Sequence, residues 1–312
     1  MPANFRVCSL NTANSFESSS KFMAKALFFD FYGVSLQLNF LLEDQHFLEE
    51  QLLADFSFFR RAGIGPEPTI SIDISLAPAS LRFSGTTWFR TGLCHAKQNG
   101  VIRSCLFHGG NQIEDSGNEF RRATLYVKSP SSAYEALYYY ILSAVGEALD
   151  YRGIHRLHAV AYSSGNAAFC LPRDSMGGKT TRALKILASG TEKLFGDEVI
   201  FTDGVKLFAF PIRLAVRPDI YSEYTHVAAE PFQRSLGGRK YLVRIPQHRV
   251  AMESDSFQLD LAGNSLAFSF KFLLGLGVPQ MREFMIRPNS IRSLWTIFWL
   301  RFSCLRKLLR HR

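Results

Sequence analysis

Around Gly33 the chain changes from a solid apolar run to strict alternation, with Phe29 and Phe31 before it and Val34, Leu36, Leu38 and Phe40 after it. A period of two is the signature of half-buried strands, so residues 26–40 are expected to form strands. Over 43–60 the period lengthens, and Phe47, Leu48, Leu52, Leu53, Phe56 and Phe59 mark one helical stripe. From 68 to 128 short β segments return, separated by turn residues at Gly109-Gly110-Asn111 and Gly117-Asn118. A second helix is expected over 132–150, opened by a capping box of Ser132 and Glu135 and closed by Gly153. Its buried face would carry Tyr134, Leu137, Tyr138, Ile141, Val145 and Leu149.

Beyond 153 strands and helices alternate. Residues 157–162 read as a strand, and 167–171 as another, apolar enough to be buried on both faces. Then come the glycine loop Ser175-Met176-Gly177-Gly178-Lys179-Thr180-Thr181 and a helix over 180–188. Residues 199–202 and 205–210 form a hairpin about the Asp203-Gly204 turn. This divides the chain into a lead-in (1–25), an α+β module (26–130), an α/β domain (131–290) and a basic amphipathic helix (291–312).

The bulk numbers agree with a folded protein: 47% hydrophobic, 20% charged and 28 Phe in 312 residues. The net charge of +9 suits anionic partners. No base-reading pattern accompanies it, so nucleic acid is not an expected partner. Five scattered cysteines without a CxxC pair read as reduced thiols in a cytoplasmic protein. Cys94, His95, Cys105 and His108 fit no common zinc spacing. Met1-Pro2-Ala3-Asn4 carries no basic, apolar leader pattern, so no secretory signal is expected.

The chemistry centres on the glycine loop. A triphosphate needs inward-pointing backbone N–H groups, a helix N-terminus, an ammonium group and a hydroxyl for Mg²⁺. Gly177 and Gly178 let the backbone approach, Lys179 reaches the outer phosphates and Thr180 ligates the metal. A strand before the loop and a helix after it are the setting in which such a motif carries weight. Downstream, Asp197 and Glu198 can divide two tasks, holding Mg²⁺ and accepting the proton of an attacking hydroxyl. Neighbours on a strand point to opposite sides, so a bend must bring both to one site.

These residues resemble the C-terminal kinase domain of the HPr kinase/phosphorylase family. The stretch from Leu157-His158-Ala159-Val160-Ala161 through Leu171-Pro172-Arg173 to Thr181 carries the match without a gap between His158 and Lys179. Leu194-Phe195-Gly196-Asp197-Glu198 is similar to the family's acidic pair, and Phe208-Ala209-Phe210-Pro211-Ile212-Arg213-Leu214 to a segment of its serine-kinase relatives. The resemblance covers roughly 120–217. It implies an α/β P-loop kinase core of the type shared with phosphoenolpyruvate carboxykinase, beside the α+β module. It also implies ATP and Mg²⁺, with transfer of the γ-phosphoryl group to a hydroxyl, on a peptide or protein serine or on a small metabolite. His158 would then lie near the phosphates, with Thr180 and Asp197 at the metal and either carboxylate serving the acceptor. The sequence departs from the family in having Arg173 where a glycine leads the loop, and Asp-Glu where the family has Asp-Asp. No stretch matches the second, substrate-clamping segment of true HPr kinase, so HPr itself is not an expected substrate. The same departures leave a second reading, a nucleotide-binding sensor or scaffold without transfer chemistry.

Arg213 and Arg217 follow the hairpin and are candidates for phosphate or anionic substrate. Gly237-Gly238-Arg239-Lys240 reads either as a loop that brings Arg239 or Lys240 over the phosphates or as a solvated hairpin turn. In the last helix Leu294, Ile297, Phe298, Arg301, Leu305 and Leu308 recur at helical spacing, flanked by Trp295, Trp299, Arg306 and Lys307. It would either dock, on the domain or on a second subunit of a homo-oligomer, or lie on an anionic membrane surface. It is too short and too charged to span a bilayer.

Overall fold

The alternation about Gly33 becomes a tight hairpin in the computed structural model. The model describes residues 25–42, 46–63, 68–90, 94–100, 102–116, 121–173, 176–234, 238–261 and 291–308. The expected lead-in up to residue 24, the Gly117-Asn118 turn, Ser175 and all of 262–290 lie outside these residues. Strands β1 (Lys25–Phe31) and β2 (Val34–Phe40) pair antiparallel through Tyr32 and Gly33, whose φ angles are 54° and 87°. A two-residue turn with both φ positive matches the twist of its strands, and glycine takes one place without strain.

Seven further strands extend the hairpin: β3 (Arg60–Arg61), β4 (Ile70–Leu76), β5 (Thr86–Arg90), β6 (Cys94–Asn99), β7 (Ile102–Phe107), β8 (Gln112–Asp115) and β9 (Arg121–Val127). The order is β3-β1-β2-β4-β9-β8-β7-β6-β5, parallel only at β2–β4 and β4–β9. Helices α1 (His46–Phe56) and α2 (Pro130–Tyr151) close the first core with Phe29, Phe31, Phe56, Leu137 and Ile141 fully enclosed.

Helix α2 does not begin with the capping box. It starts two residues earlier at Pro130, whose ring presets a helical φ at the first position. The Ser132 hydroxyl accepts a hydrogen bond from the Asn111 amide (2.9 Å), and Asn111 Oδ1 accepts the Lys128 and Ser129 N–H groups (2.9 and 3.0 Å). A side chain from the neighbouring turn thus does the work expected of Glu135.

The second half is a mixed α/β arrangement of three small sheets. They are built from β10 (His155–Leu157), β11 (Ala159–Ser164), β12 (Ala167–Pro172), β13 (Lys193–Gly196), β14 (Ile200–Thr202), β15 (Leu207–Phe208), β16 (Leu214–Val216), β17 (Ala229–Gln233), β18 (Arg239–Val243), β19 (Glu253–Ser254) and β20 (Gln258–Leu259). Their orders are β10-β14-β15-β19, β13-β11-β12-β20 and β16-β18-β17, with helix α3 (Lys179–Ser189) after the glycine loop. Two expectations need correction. The apolar run 157–162 is not one strand: it breaks at His158, and its halves join different sheets. Strand β12 is not buried on both faces but alternates, because it sits in an antiparallel hairpin with β11 rather than inside a parallel sheet.

The expected hairpin forms about Asp203-Gly204, but its second strand is shortened from 205–210 to Leu207–Phe208, and it joins the two cores. Phe201, Phe208 and Phe210 pack into the first, while Ile200, Leu207 and Ala209 face the second with Leu157, Val160 and Ile186. A buried ion pair locks the same junction. Arg213 donates to both oxygens of Asp55 (2.8 and 3.1 Å) and to the Tyr134 hydroxyl (3.1 Å), and that hydroxyl donates to Asp55. Removing one partner strands a charge away from water. Asp55→Ala is therefore expected to cost about 3–5 kcal/mol in urea unfolding, and Asp55→Leu with Arg213→Met together to recover most of it.

The final helix, Ile291–Leu308, docks on the domain along one face. Cys304 and Leu308 are buried, Arg301 pairs with Asp150, and Lys307 donates to the Asp203 carbonyl (3.4 Å). Gly204, at φ 91°, lies under it; a Cβ there would meet the Cys304 carbonyl at 2.8 Å. Among the described residues no helix is long and apolar enough to cross a membrane.

Candidate functional site

The glycine loop leaves β12 after Pro172 and enters α3 at Lys179. Gly178 caps that helix in the left-handed region (φ 81°), and its carbonyl accepts the Arg182 N–H (2.9 Å). A Cβ on Gly178 would touch nothing, so the glycine serves the backbone angle rather than space. Met176 also adopts a left-handed φ of 65°, which costs a side-chain-bearing residue roughly 1 kcal/mol. The position that glycine usually leads is different. Arg173 is not among the residues with positive φ, so nothing in its backbone requires glycine. Its guanidinium turns away to the Asp260 carboxylate (3.0 Å) and carbonyl (2.8 Å). Its own carbonyl accepts the Lys179 ammonium at 2.7 Å, which closes the loop into a ring.

The acidic pair sits in the bend that the sequence argument required. Strand β13 ends at Gly196, whose missing Cβ lets the Phe210 carbonyl approach; a Cβ would meet that oxygen at 2.7 Å. Asp197 then turns inward and is buried, and its Oδ2 accepts the Thr180 hydroxyl at 2.8 Å. Its Oδ1 is buried without a hydrogen-bond partner. Burial, reinforced by the nearby Glu198 charge, pushes the Asp197 carboxyl up to about 7. Glu198 takes a left-handed φ of 67°, which sends its side chain out towards the loop, unlike its neighbour. His158, freed by the break between β10 and β11, donates from Nδ1 to the Glu198 carbonyl (3.0 Å) if that nitrogen carries the proton.

The loop from Met176 to Thr181, His158 and Glu198 line a cavity of about 310 Å³ together with Ala215, Arg217, Ile220 and Lys240. Asp197 is not part of that lining and meets it through the Thr180 hydroxyl. Arg217 is steered by Asp219 (2.8 Å). The Lys240 ammonium is pulled below its usual range by burial and then by the Arg234 and Arg217 charges. Among the described residues no group of three or more His, Cys, Asp or Glu could hold a metal. Thr180 and Asp197 offer an oxygen pair instead, which suits Mg²⁺ because that ion keeps several waters and phosphate oxygens.

Two basic candidates stand elsewhere. Arg213 is committed to Asp55 and Tyr134, and Arg239 lies over the Tyr241 ring (5.3 Å) on the β17–β18 hairpin. The apolar wall of Ala215 and Ile220 escaped the sequence reading. In sequence it shows only as the small Ala215 between the apolar Leu214 and Val216; its exposure in β16 is visible only in the fold. Compared with known proteins, the chain matches no family model and no curated protein.

Proposed function

We propose that the chain is an ATP-dependent phosphotransferase with a P-loop kinase core of the HPr kinase type. It would move the γ-phosphoryl group to a hydroxyl, on a peptide or protein serine or on a small metabolite. One observation carries the reading: the Thr180 hydroxyl is bonded to a buried Asp197 whose other oxygen lacks a partner, beside a glycine loop that opens a helix. That arrangement fits Mg²⁺, because a buried carboxylate oxygen left unpaired is costly until a cation meets it.

In this reading the α3 N-terminus and the N–H groups of Gly177 and Gly178 hold phosphate oxygens. Lys179 exchanges the Arg173 carbonyl for the outer phosphates, and Arg217 and Lys240 balance charge from the same cavity. Mg²⁺ held by Thr180 and Asp197 would neutralise charge on the transferring group. Glu198, facing the cavity, accepts the acceptor's hydroxyl proton. The acceptor oxygen bonds the γ-phosphorus as the bond to ADP breaks. His158 orients the Glu198 backbone through its hydrogen bond.

Calorimetric titration with ATP, followed by γ-phosphate labelling of a serine-peptide library, tests this. Binding is expected to weaken about tenfold when Mg²⁺ is withheld, and labelled phosphoserine is expected in the library. No binding to wild type ends the proposal. Tight binding with no labelled peptide and no ATP turnover moves the chain to the sensor reading.

A further inference from the structure

The final helix has a second face that the domain does not cover. Trp295, Phe298, Trp299 and Phe302 fall at helical spacings of three and four, and all are exposed, the two tryptophans by 56% and 59%. They are four of the twelve exposed large apolar side chains among the described residues, gathered on one helix face. Their rings pack on one another, Phe298 against Trp295 (5.7 Å) and Trp299 (6.0 Å), so the stripe is preassembled.

We infer that this face is a docking surface for an anionic lipid bilayer. Three observations choose lipid over other occupants. First, the stripe is entirely aromatic, and tryptophan is the side chain that prefers the headgroup boundary. Second, the stripe continues into cations: Arg306 lies over the Phe302 ring (5.5 Å), Lys307 follows, and both are exposed. Third, Ile291–Leu308 contains Arg292, Arg301, Arg306 and Lys307 but no Asp or Glu. A second copy of the chain would bring this acid-free helix against its own like charges, whereas phosphatidyl headgroups complement them. The opposite face is already anchored, with Arg301 on Asp150 and Cys304 and Leu308 buried. The helix therefore pays little folding cost on binding, unlike a free amphipathic peptide. The inference is independent of the phosphotransferase reading.

The test uses the full chain and vesicles of phosphatidylcholine with about a third phosphatidylglycerol. Cosedimentation of wild type is expected, with roughly tenfold weaker binding to phosphatidylcholine alone. In a Trp88→Phe background the remaining tryptophans, Trp295 and Trp299, should be quenched by lipids brominated high on the acyl chains. Trp295→Ser with Trp299→Ser should weaken binding at least about tenfold, and Arg306→Glu with Lys307→Glu should abolish the preference for the anionic lipid. Thermal unfolding of each variant near the wild-type midpoint confirms that the fold persists. The inference is overturned if wild type ignores the anionic vesicles, or if the tryptophan substitutions leave binding unchanged. It is also overturned if those substitutions split a stable dimer that shows no lipid affinity.

Discussion

Under the proposed phosphotransferase reading, Lys179→Met is expected to lower kcat/KM for phosphoryl transfer by about 10²–10³-fold while the protein stays folded. The side chain is buried at the first turn of α3, and methionine retains most of its apolar stem. The ammonium donates to the Arg173 carbonyl, and Lys179 itself lines the open cavity, where water can replace that bond. Losing one such hydrogen bond costs about 1 kcal/mol. With nucleotide bound as proposed, the same ammonium would face the accumulating phosphate charge, whereas Arg182, the other cation in the first turn of α3, is engaged by Glu192 (3.3 Å) and the Tyr162 ring (4.6 Å). Arg217 and Lys240 also line the cavity, but Arg217 is held by Asp219 (2.8 Å) and Met176 (3.6 Å) rather than at the start of α3. The loss should divide between a raised KM for ATP and a reduced kcat, because Lys179 meets charge both before and during transfer. An unchanged kcat/KM, measured with folded variant, removes Lys179 and with it the phosphate role of the loop.

The parts of this picture that were legible in the sequence are those set by local rules. Alternation about Gly33 gave the first hairpin, and Asp203-Gly204 gave the second, because turn chemistry and period two act over a few residues. The glycine loop and its helix were legible for the same reason, as was the need for a bend at Asp197 and Glu198. What escaped depends on distant partners. Nothing in the run from Leu157 to Ala161 punctuates it; His158 breaks the strand because the two halves find different sheets. Arg213 looked like a phosphate ligand beside its neighbours in sequence, but Asp55, 158 positions away, claims it. Asn111 similarly displaces the expected capping box from across a turn. Arg173 shows the same dependence, because its backbone angle, which does not call for glycine, and its Asp260 partner, 87 positions away, are visible only in the fold.

Asp197→Asn is expected to change stability and activity in opposite directions. The folded carboxyl titrates near 7, raised first by burial and then by Glu198, whereas an unfolded aspartate titrates near 4. The native state therefore binds this proton more tightly than the unfolded chain does. Below about pH 4 both states hold the proton, and the group's contribution is fully present. As pH rises towards 7 the unfolded chain releases its proton first, so stability falls, and above 7 the buried charge carries its full penalty. Asparagine removes that penalty at every pH and can still accept the Thr180 hydroxyl. Urea unfolding should show the variant more stable than wild type by about 2–4 kcal/mol at pH 8, with the difference closing towards pH 4. Turnover should fall by roughly 10³-fold, since the oxygen pair with Thr180 loses its charge for Mg²⁺. Wild-type kcat/KM should climb with pH along a limb whose midpoint lies near 7, and the variant's residual rate should lack that limb. Bound Mg²⁺ favours the carboxylate, so the limb in kcat should lie at lower pH than the limb in kcat/KM. A destabilised variant at pH 8 would mean that Asp197 is held charged by its surroundings as a structural ion. A variant that keeps wild-type turnover would place the metal elsewhere.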